Sequence, residues 1–235
     1  MPILLDHKLQ EQIMPGSPAF PVALYHDELA ALPNRAGPVH WHPYFELATA
    51  QSGVLDVQVG QIHTVLEPGD SIFVNQNMLH GIRQLSGDAP DPLPILVFSG
   101  TVLAPENSAI YRKYIQPVLV CSDLPFVVFR RGSKLWEETC QPIRAACRAM
   151  QEQPECYELA VQRSINCVLE AIFRHFDSLP KFEASRIQLS TQIRLQKMLA
   201  YIYEHYGQAV TLTDIAGAAS ISRSEAGRCF QAYLG

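Results

Sequence analysis

The feature that most constrains this chain is a change in the period of its hydrophobic pattern near Ser133. From residue 20 to about 132, short runs alternate between apolar and polar residues and are broken by Pro and Gly. Val54-Leu55-Asp56-Val57-Gln58-Val59, then Gly60-Gln61, then Ile62-His63-Thr64-Val65-Leu66 reads as strand, tight turn, strand. Glu67-Pro68-Gly69-Asp70 reads as a turn, and Ser71-Ile72-Phe73-Val74 as the next strand. Short strands at this spacing predict a β-sandwich or barrel. After Ser133 the apolar residues recur every three or four positions, the signature of amphipathic helices. The expected class is therefore α+β, with more than one domain.

Trp136, Cys140, Ile143, Cys147 and Met150 fall on one helical stripe. Pro142 interrupts it and predicts a kink or a restart, and Pro154 ends it. A second helix carries Val161, Ile165, Val168 and Ile172 on one stripe, with Leu169, Phe173 and Phe176 beside it. That face is wide enough to pack on the β domain and leave a seam for a partner helix, so intramolecular packing and dimerisation both stay open. Asp177-Ser178-Leu179-Pro180-Lys181 reads as a linker. A third helix places Leu195, Met198, Leu199, Ile202 and Tyr206 on one face, and Gly207 suits its C-terminus.

The 235 residues are 48% hydrophobic and 17% charged, which excludes disordered, collagen-like and purely coiled-coil chains. A net charge of −5 excludes an evenly basic nucleic-acid binder, so any DNA contact must lie on a local patch. No apolar run is long enough to span a membrane, and Asp6-His7-Lys8 follows too soon for a signal peptide. A cytoplasmic protein with no membrane partner is expected. The six cysteines form no C-x-x-C pair and are expected as small buried hydrophobes in a reducing compartment.

The C-terminal stretch TLTDIAGAASISRSEAGRCFQAYLG holds two capping-box patterns, Thr211 with Asp214 and Ser222 with Glu225, the first the weaker because Asp is short. The first short helix is expected to bury Leu212, Ile215, Ala216 and Ala219, and the second Ala226, Cys229, Phe230 and Tyr233. With the tight turn Ser220-Ile221 between them they predict a helix-turn-helix. Ser222, Arg223, Ser224, Gly227, Arg228 and Gln231 lie on the outer face of the second helix and are the candidate DNA contacts. Arg and Gln can read base edges, whereas Ser and the helix N-terminus can hold a phosphate. Gly227 costs roughly 1 kcal/mol inside a helix, and close approach to DNA is one use for that cost. From Arg186 onward, basic residues outnumber acidic ones.

Leu212, Ile215-Ala216, Ala219, Ile221-Ser222, Arg228, Phe230 and Gly235 resemble the DNA-binding region of the AraC/XylS family of bacterial transcription regulators. Family members carry two helix-turn-helix units joined by a long helix. This chain matches the first unit and reaches Gly235 where that unit's recognition helix ends, so an incomplete DNA-binding domain with weak DNA binding is expected. Ser220 stands where the family has Gly, which implies a slightly strained turn.

The densest polar constellation is His40-Trp41-His42-Pro43-Tyr44-Phe45-Glu46, with Gly53 seven residues later. On a strand, His40, His42, Tyr44 and Glu46 share one face, and Trp41 points the other way. Downstream, Gly69-Asp70 opens a strand leading to Asn75-Gln76-Asn77-Met78-Leu79-His80. These segments resemble the two motifs of cupin barrels, which implies His40, His42, Glu46 and His80 as ligands of a divalent metal such as Fe, Mn, Zn or Ni. Asn75 and Asn77 replace the second motif's Pro and Gly, and the Gly expected five residues before His40 is absent. Three uses stay open: a metal site, a polar pocket for an effector, or a buried network without a ligand. His26 and His63 read as structural.

The resemblances imply an order of parts: an N-terminal arm (1–19), a cupin-like double-stranded β-barrel (20–132), a helical dimerisation pair (133–177), a linker (178–188) and an α-helical helix-turn-helix unit (189–235). The function they imply is a homodimeric, ligand-responsive transcription regulator that is not an enzyme, with promoter DNA and a small-molecule effector such as a sugar as partners. The arm, with Pro2, Pro15, Pro18 and Pro21, is expected to fold over the pocket as a lid. The alternatives are a metal-dependent cupin enzyme and a shortened dimerisation partner of a full-length regulator.

Overall fold

The computed structural model describes residues 3–86, 92–182 and 185–234; Pro2 of the arm and Gly235 of the C-terminal motif lie outside them. The described strands are β1 (Val22–Asp27), β2 (Phe45–Thr49), β3 (Val54–Val59), β4 (Ile62–Leu66), β5 (Ser71–Val74), β6 (His80–Ser86), β7 (Leu93–Phe98) and β8 (Phe126–Phe129). They form two antiparallel sheets, one of order β1-β7-β2-β5-β8 and one of order β4-β3-β6. The expected strands at 54–59, 62–66 and 71–74 all form. The β3–β4 turn relies on Gly60 at φ +62°.

The five-stranded sheet is buried on both faces, which explains the unbroken apolar run Leu93-Pro94-Ile95-Leu96-Val97-Phe98 in β7. Its inner face joins the three-stranded sheet through Ala48, Ile72, Val74, Ile95 and Val97 against Leu55, Val57, Val59 and Ile82. Its outer face presents Phe45, Leu47, Phe73, Leu96 and Phe98 to a helical layer. β4 alternates instead, because only one of its faces is covered.

After the short α1 (Gln116–Val120) and β8 come α2 (Lys134–Glu152) and α3 (Tyr157–Arg174), packed along each other. Ser133 caps α2 by accepting from the Trp136 amide at 3.2 Å, and the Trp136 indole donates to the Gly69 carbonyl at 2.8 Å. Of the kink or restart expected at Pro142, the restart does not occur: α2 runs continuously across it. Cys140, Ile143 and Ala146 are buried on either side of that proline, so packing holds the turn that lacks one hydrogen bond. Val161, Ile165, Val168 and Ile172 of α3 all lie in the core shared with the barrel. Of the cysteines expected inside, Cys140 and Cys229 are buried, whereas Cys156 and Cys167 are exposed, one at the start of α3 and one on its outward face.

Phe182 donates its amide to the Asp123 carbonyl, and α4 (Ser185–His205) begins within the stretch read as linker. Leu195 and Met198 are buried as expected, but Tyr206 is 79% exposed because it lies beyond the end of α4. Next come α5 (Leu212–Ala218) and α6 (Arg223–Leu234). Ala216, Ala219, Ala226, Cys229 and Tyr233 close the helix-turn-helix core, while Leu212 is 37% exposed in the first turn of α5. The capping boxes rank opposite to expectation. Thr211 and Asp214 bond reciprocally, and the short aspartate reaches. Ser222 accepts from the Glu225 amide at 3.2 Å, but the Glu225 carboxylate pairs with Arg194 of α4 at 2.6 Å. Ser220 adopts φ +56°, the left-handed conformation the motif fills with Gly.

Candidate functional site

Of His40, His42, Tyr44 and Glu46, only Glu46 sits on a regular strand. His40 forms an isolated bridge with His80, exchanging two backbone hydrogen bonds of 2.9 and 2.8 Å. The backbone bends at Pro43-Tyr44, so the common face expected of a straight strand does not exist. The bend brings His42 back onto Glu46 and turns Tyr44 aside. Tyr44 contributes its carbonyl, which is 3.2 Å from His42 Nδ1, and its ring packs on the barrel interior. Trp41 is partly buried among residues of the helix-turn-helix core.

His40, His42, Glu46 and His80 are all buried, and one ligand atom from each lies within 4.8 Å of the others. Glu46 Oε2 is 3.3 Å from His42 Nε2 and 3.2 Å from His80 Nε2. The opposite ring nitrogens are committed to backbone carbonyls: His40 Nδ1 to Pro38 at 2.9 Å, His42 Nδ1 to Tyr44, and His80 Nδ1 to Met78 at 2.8 Å. A carbonyl only accepts, so each Nδ1 donates; an imidazole in its neutral form then turns the lone pair of Nε2 inward, and a protonated one turns an N–H there. Neutral rings would set lone pairs against the carboxylate, a repulsion that a proton on Nε2 or a metal cation between the groups relieves. The donor set thus fits a divalent cation, with carbonyl-oriented imidazoles around one carboxylate.

The electrostatics follow from this crowding. Burial works to raise the Glu46 carboxyl, but the charge of His80 and hydrogen bonds from both imidazoles hold it well below the usual range. Burial opposes protonation of His80, and Glu46 outweighs it, so that ring titrates above its ordinary value. Burial and the neighbouring His80 push His40 down to about 3. Burial and Glu46 push Glu11 up to about 7 and also raise Asp27.

The loops that present the ligands keep the motif's backbone without its glycines. Arg35, five residues before His40, has φ +53°, and Asn77 has φ +61°. Asn tolerates that region, and Asn77 donates its amide to the His42 carbonyl at 2.9 Å. Asn75 is buried and donates to the carbonyls of Val118 and Leu124. Gly53 has φ +72°, where a Cβ would lie 2.2 Å from the Ser86 carbonyl oxygen.

Beside the cluster lies a cavity of about 70 Å³ lined by His40, Glu46 and His80 together with Tyr25, Asp27 and Ile82. His42 and Tyr44 do not line it. The arm closes it with Ile3, Glu11 and Ile13. Glu11, Asp27 and Tyr25 escaped the sequence reading because they lie outside any motif; the arm's path brings Glu11 in, and the pairing of β1 with β7 brings Tyr25 and Asp27. His63 is elsewhere, 3.1 Å from Asp56 on the three-stranded sheet.

Ser222, just before α6, and Arg223, Ser224, Gly227, Arg228 and Gln231 on it are all exposed. Gln231 differs from the rest in lining a cleft against Asp56, His63 and Arg83 of the barrel. The helices dock through Leu79, which is buried with Leu195, Met198 and Tyr233. Gln192 of α4 accepts from the Leu79 amide at 3.2 Å and donates to the Asn77 carbonyl at 2.9 Å. Sequence reading missed Gln192, a polar residue on an amphipathic helix with nothing to mark its burial.

Residues 29–90 match the family model described as the cupin domain. This segment is a cupin domain. Over 232 residues the chain is 25% identical to YdeC of Bacillus subtilis (strain 168), an uncharacterized HTH-type transcriptional regulator, covering 98% of this chain and 77% of that one. Among solved structures, ToxT from Vibrio cholerae matches 90% of this chain and 75% of its own at 10% identity, with a TM-score of 0.43. The AraC-like transcriptional activator CuxR matches 81% of this chain and 61% of its own at 15% identity, with a TM-score of 0.39. The succession of a cupin barrel, a helical pair and a helix-turn-helix unit agrees with the AraC/XylS resemblance. Among the described residues no helix is long and apolar enough to cross a membrane.

Proposed function

We propose that this chain is a transcription regulator rather than an enzyme. In this reading its cupin site holds a divalent metal ion, the helix from Ser222 reads promoter DNA, and two copies pair through the α2–α3 layer. The observation that carries the reading is the run Asn77-Met78-Leu79-His80. His80 belongs to the metal-fitting cluster, and the residue before it belongs to the helix-turn-helix core. Gln192 grips the same run from α4. Anything that draws His80 toward Glu46 therefore acts on the seat of the DNA-reading helices. Coupling of this kind amounts to about 1–3 kcal/mol, roughly 5- to 150-fold in affinity.

The cavity of about 70 Å³ falls well short of the roughly 300 Å³ of common small-molecule sites. With the arm seated it admits an ion and its waters. An effector of sugar size enters only if Ile3, Glu11 and Ile13 withdraw.

The test measures the affinity of the full chain for promoter DNA after chelation and after adding back Zn2+, Mn2+, Ni2+ or Fe2+. A metal-dependent change of at least fivefold, lost in His80→Ala, supports the reading. Equal affinity with and without every metal sinks it.

A further inference from the structure

We propose that Glu11, on the arm outside the cupin match, supplies a further oxygen ligand to the metal of the His40–His42–Glu46–His80 cluster. This rests on the metal reading above and extends it to a residue the cupin motifs do not contain. Glu11 Oε2 stands 3.7 Å from His40 Nε2. Two ligand atoms each about 2.1 Å from one ion lie about 3 Å apart at a right angle and about 4 Å apart when opposite. The separations of 3.2 and 3.3 Å around Glu46 and of 3.7 Å at Glu11 all fall in that window.

The chemistry of the contact points the same way. His40 gives its Nδ1 proton to the Pro38 carbonyl, so a lone pair faces the Glu11 carboxylate. With Glu11 ionised that arrangement is unfavourable, and a cation between the two makes it favourable.

The placement of Glu11 is built into the arm's register. Trp41, between the two first-motif histidines, donates its amide to the Leu9 carbonyl at 3.0 Å and accepts from the Glu11 amide at 2.9 Å. Its indole donates to the Lys8 carbonyl at 3.0 Å. The residue that separates two ligands thus fixes the segment that carries the further one. The same arm touches α4, where His7 stacks on Tyr203 at 4.8 Å between ring centres.

The experiment uses the full chain, stripped with a chelator, with Co2+ as probe. Glu11→Gln keeps the side chain's size and removes its charge. It should weaken Co2+ binding about 10- to 100-fold and change the visible ligand-field bands of the bound ion. Trp41→Phe, which loses the indole bond to Lys8, should shift affinity in the same direction by less. Glu46→Gln serves as the control for the site itself. If Glu11→Gln binds Co2+ with wild-type affinity and bands while Glu46→Gln loses it, Glu11 is not a ligand and the metal site stands. If the unaltered chain binds no Co2+, the metal reading and this proposal fall together.

Discussion

Leu79 and His80 are adjacent in the chain and belong to different interiors. The Leu79 side chain is 1% exposed among Leu195, Met198 and Tyr233, and His80 Nε2 is 3.2 Å from the Glu46 carboxylate. One peptide bond joins the metal-fitting cluster to the core of the helix-turn-helix unit.

Leu79→Ala should therefore uncouple the two halves without emptying the site. Truncating a buried leucine costs roughly 2–5 kcal/mol where the surroundings cannot collapse. The loss should appear as faster proteolysis of α4–α6 and as a smaller effect of metal on DNA affinity. Co2+ binding should stay within about twofold of wild type, since Leu79 touches no ligand atom. A parallel loss of Co2+ would mean that the helices are needed to shape the site.

Asp70 gives a prediction with a sign in pH. It accepts from the amides of Arg131 and Glu67, at 2.7 and 3.1 Å, and from the Arg130 guanidinium at 2.9 Å. Burial would raise its carboxyl, but these donors hold it below its ordinary 3.8. A depressed carboxylate contributes its stability above the unfolded-state value and loses it as pH falls through the folded one. Asp70→Asn should cost roughly 1–3 kcal/mol at pH 7. In urea titrations the variant and the wild type should converge as pH falls below 3.8 and through the depressed folded-state value. A difference that does not shrink as pH falls would assign the cost to geometry rather than charge.

Gly227 and Arg228 separate reading from folding. A Cβ at Gly227 would meet nothing within 4 Å. Gly227→Ala should then stabilise α6 by up to about 1 kcal/mol in thermal unfolding. If this face lies against DNA, the same change weakens DNA binding. Arg228→Ala should leave unfolding unchanged and weaken binding by roughly 1–3 kcal/mol at a base-contact position. Unchanged DNA affinity in both variants would move the reading face elsewhere.

The change from strands to helices, and the strands β3, β4 and β5, were legible because period two and period three-and-a-half are local properties of the chain. The residues of the metal-fitting cluster were legible too, because the two histidine motifs are compact in sequence. Their mutual geometry was not: it depends on a bend at Pro43-Tyr44 that strand alternation does not describe. Glu11 and Gln192 were invisible for a related reason. Each is a polar residue whose role comes from the path of a distant segment, Glu11 through the arm's pairing with Trp41 and Gln192 through the docking of α4. No restart follows Pro142 because buried neighbours on both sides of it hold the helix together.

The shared interior around Leu79 has a practical consequence. Cutting the chain after α3 would strip the cover from Leu79, Val39 and Trp41 and leave an oily bald spot next to the metal-fitting cluster. A sensor prepared that way should clump or borrow a neighbour's surface, and ligand screens run on it would report on that stickiness as much as on the site.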